Sequence, residues 1–248
     1  MNKYYLDKFY TKKEVVQYIL KFIDINIFKT IIEPSAGNGA FSNEISNCIA
    51  YDIEPEENNI IQENFLKIHP TVENPCLVIG NPPFGRNGSM ALKFIKHACS
   101  FADVVAFILP RGFKKQSYYD KIPLDFWKKI EVDLNDNSFI YNRKDFKIPC
   151  VFQVYEKRNE LRRKKEKLQP KTFTFTKKEN ANISFRRVGA NAGFASIDTN
   201  KSDESHYFLF STDPEKLINK IHQIQWKHNN TTGPKSISKQ ELIQALEH

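Results

Sequence analysis

The sequence predicts an α/β domain on a mainly parallel sheet over its first ~150 residues, followed by a small basic α+β region. Three observations carry this expectation. Short apolar runs alternate with segments of helical spacing through residues 1–155. The runs "CLVIG" (76–80) and "VVAFILP" (104–110) are apolar throughout, as strands covered on both faces must be. After Tyr155 the texture changes to a lysine-rich stretch, then to strand-like runs around a glycine loop, which places a domain boundary near residue 156.

The elements follow in order. "TKKEVVQYILKFI" (11–23) spaces its apolar residues helically, with Thr11 as N-cap. "TIIEP" (30–34) is a strand stopped by Pro34, "GAFSNEIS" (39–46) is expected to start a helix, and "CIAYDIEP" (48–55) is a second strand. "CLVIGNPPF" (76–84) reads as a buried strand running into a proline turn. "SMALKFIKHACSFA" (89–102) is helical, and "DVVAFILP" (103–110) is another buried strand. Helical signals recur around 118–130, and "IPCVFQVYEK" (148–157) closes the sheet. Farther on, "KTFTFT", "NISFRRV" and "HYFLF" are strand-like, and Asp213 with Pro214 opens a helix over 213–226. The closing "LEH" (246–248) resembles a cloning remnant and is set aside.

Composition narrows the function classes. A chain of 248 residues with 40% hydrophobic and 27% charged residues can bury a full core. No run of ~18 apolar residues exists to span a bilayer. The start lacks the apolar stretch of a signal peptide, so an intracellular, cytoplasmic protein is expected. Cys48, Cys76, Cys99 and Cys150 are widely spaced without a CxxC or Cys/His pattern, so reduced thiols and no metal site are expected. The net charge of +8 is local: residues 1–155 carry 19 Lys+Arg against 18 Asp+Glu, whereas 156–180 carry ten against four. A basic cluster on a balanced body suits a polyanion such as nucleic acid, and equally a solvated helix or linker.

Two stretches carry chemistry. In "IIEPSAGNGAFSNEI" a strand runs into Glu33-Pro34, then a loop with Ser35, Gly37 and Gly39. Glycines there admit a ligand close to the backbone, and a following helix would offer free N–H groups. The loop has neither the ending of a P-loop nor GxGxxG spacing. The next strand ends at Asp52, where a carboxylate suits both hydroxyls of a ribose.

Downstream, "GNPPFGR" (80–86) sets Asn81, Pro82, Pro83 and Phe84 at the end of a buried strand. An aromatic amine is a poor nucleophile because its lone pair is delocalised into the ring. Two acceptors on its N–H bonds favour the pyramidal, attacking geometry and stabilise the developing positive charge. The Asn81 side-chain oxygen and the Pro82 carbonyl can be those acceptors. The prolines stiffen the loop and offer no competing N–H, and Phe84 can stack on a flipped base.

With these motifs the sequence resembles the adenine-N6 methyltransferases of the S-adenosylmethionine-dependent superfamily, whose amine-binding motif reads (N/D)PP(Y/F/W). The order of N-terminal motif, glycine motif, NPPF and recognition region is similar to the gamma arrangement of DNA amino-methyltransferases. The likeness spans roughly residues 5–155. It implies a Rossmann-like class I methyltransferase sheet of seven strands, one reversed, with S-adenosylmethionine as cofactor and residues 156–245 as a target-recognition region. It further implies that Tyr10 and Thr11 lie near the methionine end of the cofactor. Glu33, Ser35, Gly37 and Gly39 would line its methionine part, Asp52 the ribose and Ile53 the adenine. "ENFL" would add Asn64 and Phe65, with Asn64 standing where the family often has Asp. A second aromatic would sandwich the flipped base against Phe84: Phe146 is the choice, with Phe139 and Tyr141 as competitors.

Basic residues outside the motifs are candidate nucleic-acid contacts: Arg111, Lys114 and Lys115 in "ILPRGFKK", and Arg186, Arg187 and Asn191 in "SFRRVGANAG". A solvated loop and a plain hairpin explain them equally well. The leading expectation is methyl transfer to adenine N6 in DNA, as a solitary enzyme or in restriction–modification with a cognate endonuclease or as a homodimer. Alternatives are the same chemistry on RNA, methylation of a protein glutamine amide, and an inactive nucleic-acid-binding relative.

Overall fold

The computed structural model describes residues 9–141, 144–226, 230–231 and 233–247, so expectations resting on residues 1–8 and His248 lie outside the described residues. The chain forms two compact units, Met1–Arg163 and Lys164–His248. No helix among the described residues is long and apolar enough to cross a membrane.

The first unit contains strands β1 (Tyr10–Thr11), β2 (Thr30–Glu33), β3 (Cys48–Asp52), β4 (Ile61–Gln62), β5 (Cys76–Gly80), β6 (Val104–Pro110), β7 (Phe126–Asp133), β8 (Phe139–Tyr141), β9 (Lys144–Phe146) and β10 (Cys150–Lys157). Its helices are α1 (Lys13–Leu20), α2 (Ser89–Ala98) and the short α3 (Gln116–Tyr119). Seven strands form the central sheet in the order β4-β3-β2-β5-β6-β10-β7. Neighbours from β4 to β6 are parallel, and β10 is antiparallel to both β6 and β7, so β10 alone among them is reversed. This is the Rossmann-like sheet of seven strands, one reversed, that the resemblance implies.

Strand periodicity divides the core. Val105, Phe107 and Leu109 of β6 pack with Ala91, Phe94 and Ile95 of α2 on one face. Ala106 and Ile108 pack with Val16 and Ile19 of α1 on the other. Both faces being covered is why "VVAFILP" carries no polar residue.

Three elements differ from expectation. Residues 39–46 form turns rather than a helix. The Glu33 carboxylate accepts the N–H groups of Phe41 (3.3 Å) and Ser42 (2.8 Å), ending the segment's route into a helical ladder. Thr11 does not cap α1: it pairs with Phe139 in the small β1-β8-β9 sheet, and α1 begins after Lys12 without a side-chain cap. Of the helical signals over 118–130, only α3 and its following turns materialise. Residues 126–130 join β7, because pairing with β10 buries Phe126 against the α2 face.

The basic run after β10 contributes to the fold before it becomes surface. Arg162 is 4% exposed. Its Nε donates to the Phe126 carbonyl (2.6 Å) and its Nη2 to those of Ile122 (3.0 Å), Tyr119 (3.2 Å) and Pro123 (3.2 Å). The guanidinium lies over the Tyr119 ring at 3.8 Å from its centroid. One planar cation thus binds four carbonyls between the end of α3 and the start of β7.

The second unit pairs β11 (Thr174–Phe175), β12 (Ile183–Arg186), β13 (Ala195–Ser196) and β14 (His206–Phe210) in the order β11-β14-β12-β13. Helices α4 (Pro214–His222) and α5 (Lys239–Glu247) complete it. Asp213 caps α4 by accepting Lys216 N–H (3.1 Å). Ile183, Phe185 and Leu209 form its core with Leu217, Ile221, Leu242 and Leu246. Leu246 is therefore part of the fold, and Glu247 Oε1 accepts the Thr172 N–H at 3.0 Å.

Replacing Arg162 by Ala is expected to destabilise the chain by about 2–3 kcal/mol, since buried carbonyls lose their donor. Arg162→Lys should recover little, because an ammonium cannot reproduce the planar fork. Urea unfolding midpoints of the three proteins check this.

Candidate functional site

The parallel strands β2, β3 and β5 end on the same edge of the sheet. The order reverses between β2 and β5, and a crevice at such a switch point is where this architecture binds ligands. Glu33 and Asp52 close β2 and β3, and Asn81 follows β5 directly. All three line one cavity there.

The glycine loop is held from beneath by two carboxylates. Asp52 Oδ2 accepts the Gly37 N–H (2.7 Å) and its Oδ1 the Glu54 N–H (2.8 Å). Gly37 has φ +55°, and a Cβ there would sit 3.4 Å from the Tyr10 ring, so glycine suits both the backbone and the space. Tyr10 donates its hydroxyl proton to Glu56 Oε1, and the Glu56 N–H returns to the Gly37 carbonyl (3.0 Å). Glu33 is 1% exposed. Burial pushes its carboxyl up from 4.5 to about 7 against the opposing pull of the Ser42 and Phe41 N–H groups, and Asp52 adds to the rise. The free N–H groups expected at a helix start are thus already taken by Glu33.

The Asn81 amide has a fixed orientation. Its Nδ2 donates to the Phe9 carbonyl at 3.0 Å, while its Oδ1 is buried and has no hydrogen-bond partner. Ser35 Oγ donates to the Asn81 carbonyl at 3.1 Å, tying the glycine loop to the asparagine across 46 residues. Phe84 lies between the two core clusters and packs against both, and its carbonyl accepts the N–H groups of Met90 (3.0 Å) and Ala91 (3.3 Å) in α2. After it, Gly85 and Gly88 take φ of +65° and +67°, and a Cβ on Gly88 would meet Phe113 at 2.6 Å.

Most of the sequence-derived residues converge. Tyr10, Thr11, Glu33, Ser35, Gly37, Asp52, Ile53, Asn64, Phe65, Asn81 and Pro83 all border the cavity. The Thr11 hydroxyl is a second buried oxygen without a partner. Asn64 caps the 3-10 turn at 65–67, its Oδ1 accepting the Leu66 N–H (3.1 Å). Gly39, Pro82, Phe84 and Phe146 are not among the bordering residues. Gly39 instead makes a turn of φ +77°, and Pro82 is buried. Phe146, 38% exposed, stacks on Phe9 at 4.9 Å, and Tyr141 lies 5.2 Å from the same ring, whereas Phe139 is fully buried in the core.

The isolated basic residues are largely engaged within the chain. Arg111 pairs with Asp136 (3.3 Å) and Asp133 (3.8 Å), and Lys114 with Asp133 (2.7 Å). Lys115 precedes α3. In the second unit Arg186 Nε donates to the Val188 carbonyl (2.8 Å), and Arg187 Nη2 to that of Glu204 (2.6 Å). Asn191 is exposed on a turn, its carbonyl accepting the Phe194 N–H. Sequence reasoning missed Phe9, Glu56 and Met90 at the cavity. Phe9 acts here through its carbonyl, and no residue-type pattern announces a main-chain acceptor.

No family model matches the chain, and no curated protein matches it. Among solved structures, it is similar to a candidate RNA methyltransferase from Pyrococcus horikoshii (16% identity, 61% of this chain and 87% of that one, TM-score 0.49). It is also similar to the 23S rRNA methyltransferase ErmE (16%, 60% and 70%, TM-score 0.45). A third likeness is to the modification subunit of a candidate type I restriction enzyme from Vibrio vulnificus (12%, 97% and 62%, TM-score 0.47). At these identities and scores the likenesses add nothing to what the strand order itself establishes.

Two outcomes are expected. Because folded Glu33 keeps its proton up to about pH 7 and unfolded Glu33 only to 4.5, its contribution is fully present below 4.5 and is lost as pH rises to about 7. Stability should therefore fall across that window by up to about 3 kcal/mol, and Glu33→Gln should flatten the fall, as read from denaturation midpoints at successive pH values. A Ser35→Ala variant should keep its folded stability within about 1 kcal/mol, having lost one partly buried hydrogen bond. Amide hydrogen exchange at Asn81 and Phe84, the N–H groups on either side of the two prolines, should nevertheless accelerate, because the loop loses its tether.

Proposed function

We propose that this chain transfers a methyl group from S-adenosylmethionine to the N6 amine of adenine in nucleic acid, DNA being the substrate its motif order and added C-terminal region favour. The observation that carries the reading is the Asn81 amide: its nitrogen is committed to Phe9, and its oxygen is a buried acceptor with no partner in the chain. A buried acceptor left open costs about 1–3 kcal/mol, which is recovered only when a donor arrives.

The cavity suits the cofactor. Asp52 and Glu63 border it and no Lys, Arg or His does among the described residues, which favours a ligand bearing positive charge over a nucleotide phosphate. Asp52 would hold the ribose hydroxyls and Ile53 the adenine face. Tyr10 and the unpartnered Thr11 hydroxyl would hold the methionine end, with Gly37 and Ser35 along it and Asn64 and Phe65 near the base. When bound, S-adenosylmethionine supplies an electrophilic methyl group.

The chain's own residues prepare the nucleophile. Asn81 Oδ1 and the Pro82 carbonyl accept the two N–H bonds of the adenine amine, localising its lone pair and stabilising positive charge on nitrogen. Pro82 and Pro83 hold that carbonyl without a rival donor. The flipped base stacks on Phe84, with Phe146 on its other face, and Tyr141 is the alternative partner. No side-chain base is required before attack, since the amine proton becomes acidic only once the new bond forms.

Radiolabelled methyl transfer to duplex DNA, single-stranded DNA and RNA, followed by digestion to nucleosides, tests the reading. Label should appear as N6-methyldeoxyadenosine; N6-methyladenosine from RNA would move the substrate, and no label with bound cofactor would overturn the reaction. Asn81→Ala should lower kcat by about 10²–10³ while cofactor Kd changes less than about threefold, because the lost acceptor acts mainly in the transition state. Asp52→Ala should instead weaken cofactor binding, measured by calorimetry.

A further inference from the structure

The ten basic residues of 156–180 are not equivalent once the chain is folded. Arg162 is buried under Tyr119. Arg158 lies over the Trp127 ring, and Lys178 donates to the Asn200 side chain and the Lys201 carbonyl. Of the others, four adjoin: Arg163, Lys164, Lys165 and Lys167 are all exposed, none has an ion pair or hydrogen bond among the described residues, and the three lysines belong to the second unit. Glu166 is the one acid among them.

The backbone carrying these lysines has no helix or strand from residue 161 to 170. It is nonetheless fixed on either side, each time within its own unit. Arg162 is bonded to four carbonyls. Leu168 is gripped by Gln240, whose Oε1 accepts the Leu168 N–H (2.7 Å) and whose Nε2 donates to the Leu168 carbonyl (3.0 Å). Leu168 thereby anchors the lysines to the second unit, and a segment anchored beside its cations loses less conformational entropy on binding than a free tail.

We infer that Lys164, Lys165 and Lys167 form a phosphate-backbone contact for nucleic acid, each lysine neutralising one phosphate. The contact supplies affinity and orientation and carries no base sequence. It rests on the reading above only for the polyanion's identity.

The full chain and a K164A/K165A/K167A variant are titrated with a fluorescently labelled 20-mer duplex over a range of KCl concentrations. Losing three phosphate contacts should reduce the magnitude of the slope of log K against log[salt] by about 2.7, or about 2 on a single strand, without shifting the thermal midpoint. K21A/K96A, two exposed lysines on the first unit, should leave the slope unchanged. A triple-variant slope equal to wild type overturns the inference, as does an equal loss in K21A/K96A. Saturable, lysine-dependent binding of polyglutamate with none of the oligonucleotide also overturns it, assigning the segment to an acidic protein. Running methyl transfer in parallel separates the two readings. Transfer with an unaltered slope rejects the lysine contact alone; a lysine-dependent slope without transfer rejects the reaction alone.

Discussion

A parallel sheet covered on both faces has to leave its chemistry at the strand ends, and this constraint organises the first unit. The interior of β5 and β6 is uniformly apolar, so polar groups can enter only where those strands stop. Glu33, Asp52 and Asn81 stand at three such ends, on strands that adjoin in the sheet though far apart in sequence. The reversed β10 completes the sheet without adding a parallel end at that edge.

Within that edge, rigidity comes from side chains bonded to main chain. Glu33 serves the turns at 41–42, Asp52 the glycine loop, and Ser35 the carbonyl of Asn81. Burying the carboxyl raises its affinity for protons despite the loop N–H groups it accepts, which is why that of Glu33 is pushed up to about 7. Asn81 and Thr11 depart from this pattern of satisfied groups at the cavity, and Asn81 does so with one end fixed. Its nitrogen is satisfied and its oxygen is not, and a loop held by Phe9, Ser35 and α2 has little freedom to turn that oxygen elsewhere.

Charge was harder to read than hydrophobicity. The basic run counts as a single cluster in sequence, yet the fold sends Arg162 into the interior, Arg158 onto an aromatic ring and the lysines at 164–167 to the surface. Arg111 and Lys114 answer acids that β7 and its following loop bring across from twenty or so residues away. A long cationic side chain has a paired, a buried and a solvated option, and only its spatial neighbours choose among them.

The sequence by itself determined β2, β3, β5, β6 and β10 of the central sheet, through short, largely apolar runs, and cavity residues at the ends of three of them: Ser35 and Gly37, Asp52, and Asn81 with Pro83. These signals are local: each depends on residues within a few positions of one another. Tertiary structure decided what local signals could not. It kept residues 39–46 out of a helix because Glu33 captured their N–H groups, drew Thr11 into a strand because Phe139 was there to pair with it, and aimed the Asn81 oxygen through a carbonyl 72 residues away. For Thr11 and Asn81 the deciding partner is a backbone group distant in sequence, and every residue type carries the same backbone groups; for residues 39–46 it is a carboxylate whose burial only the folded sheet decides.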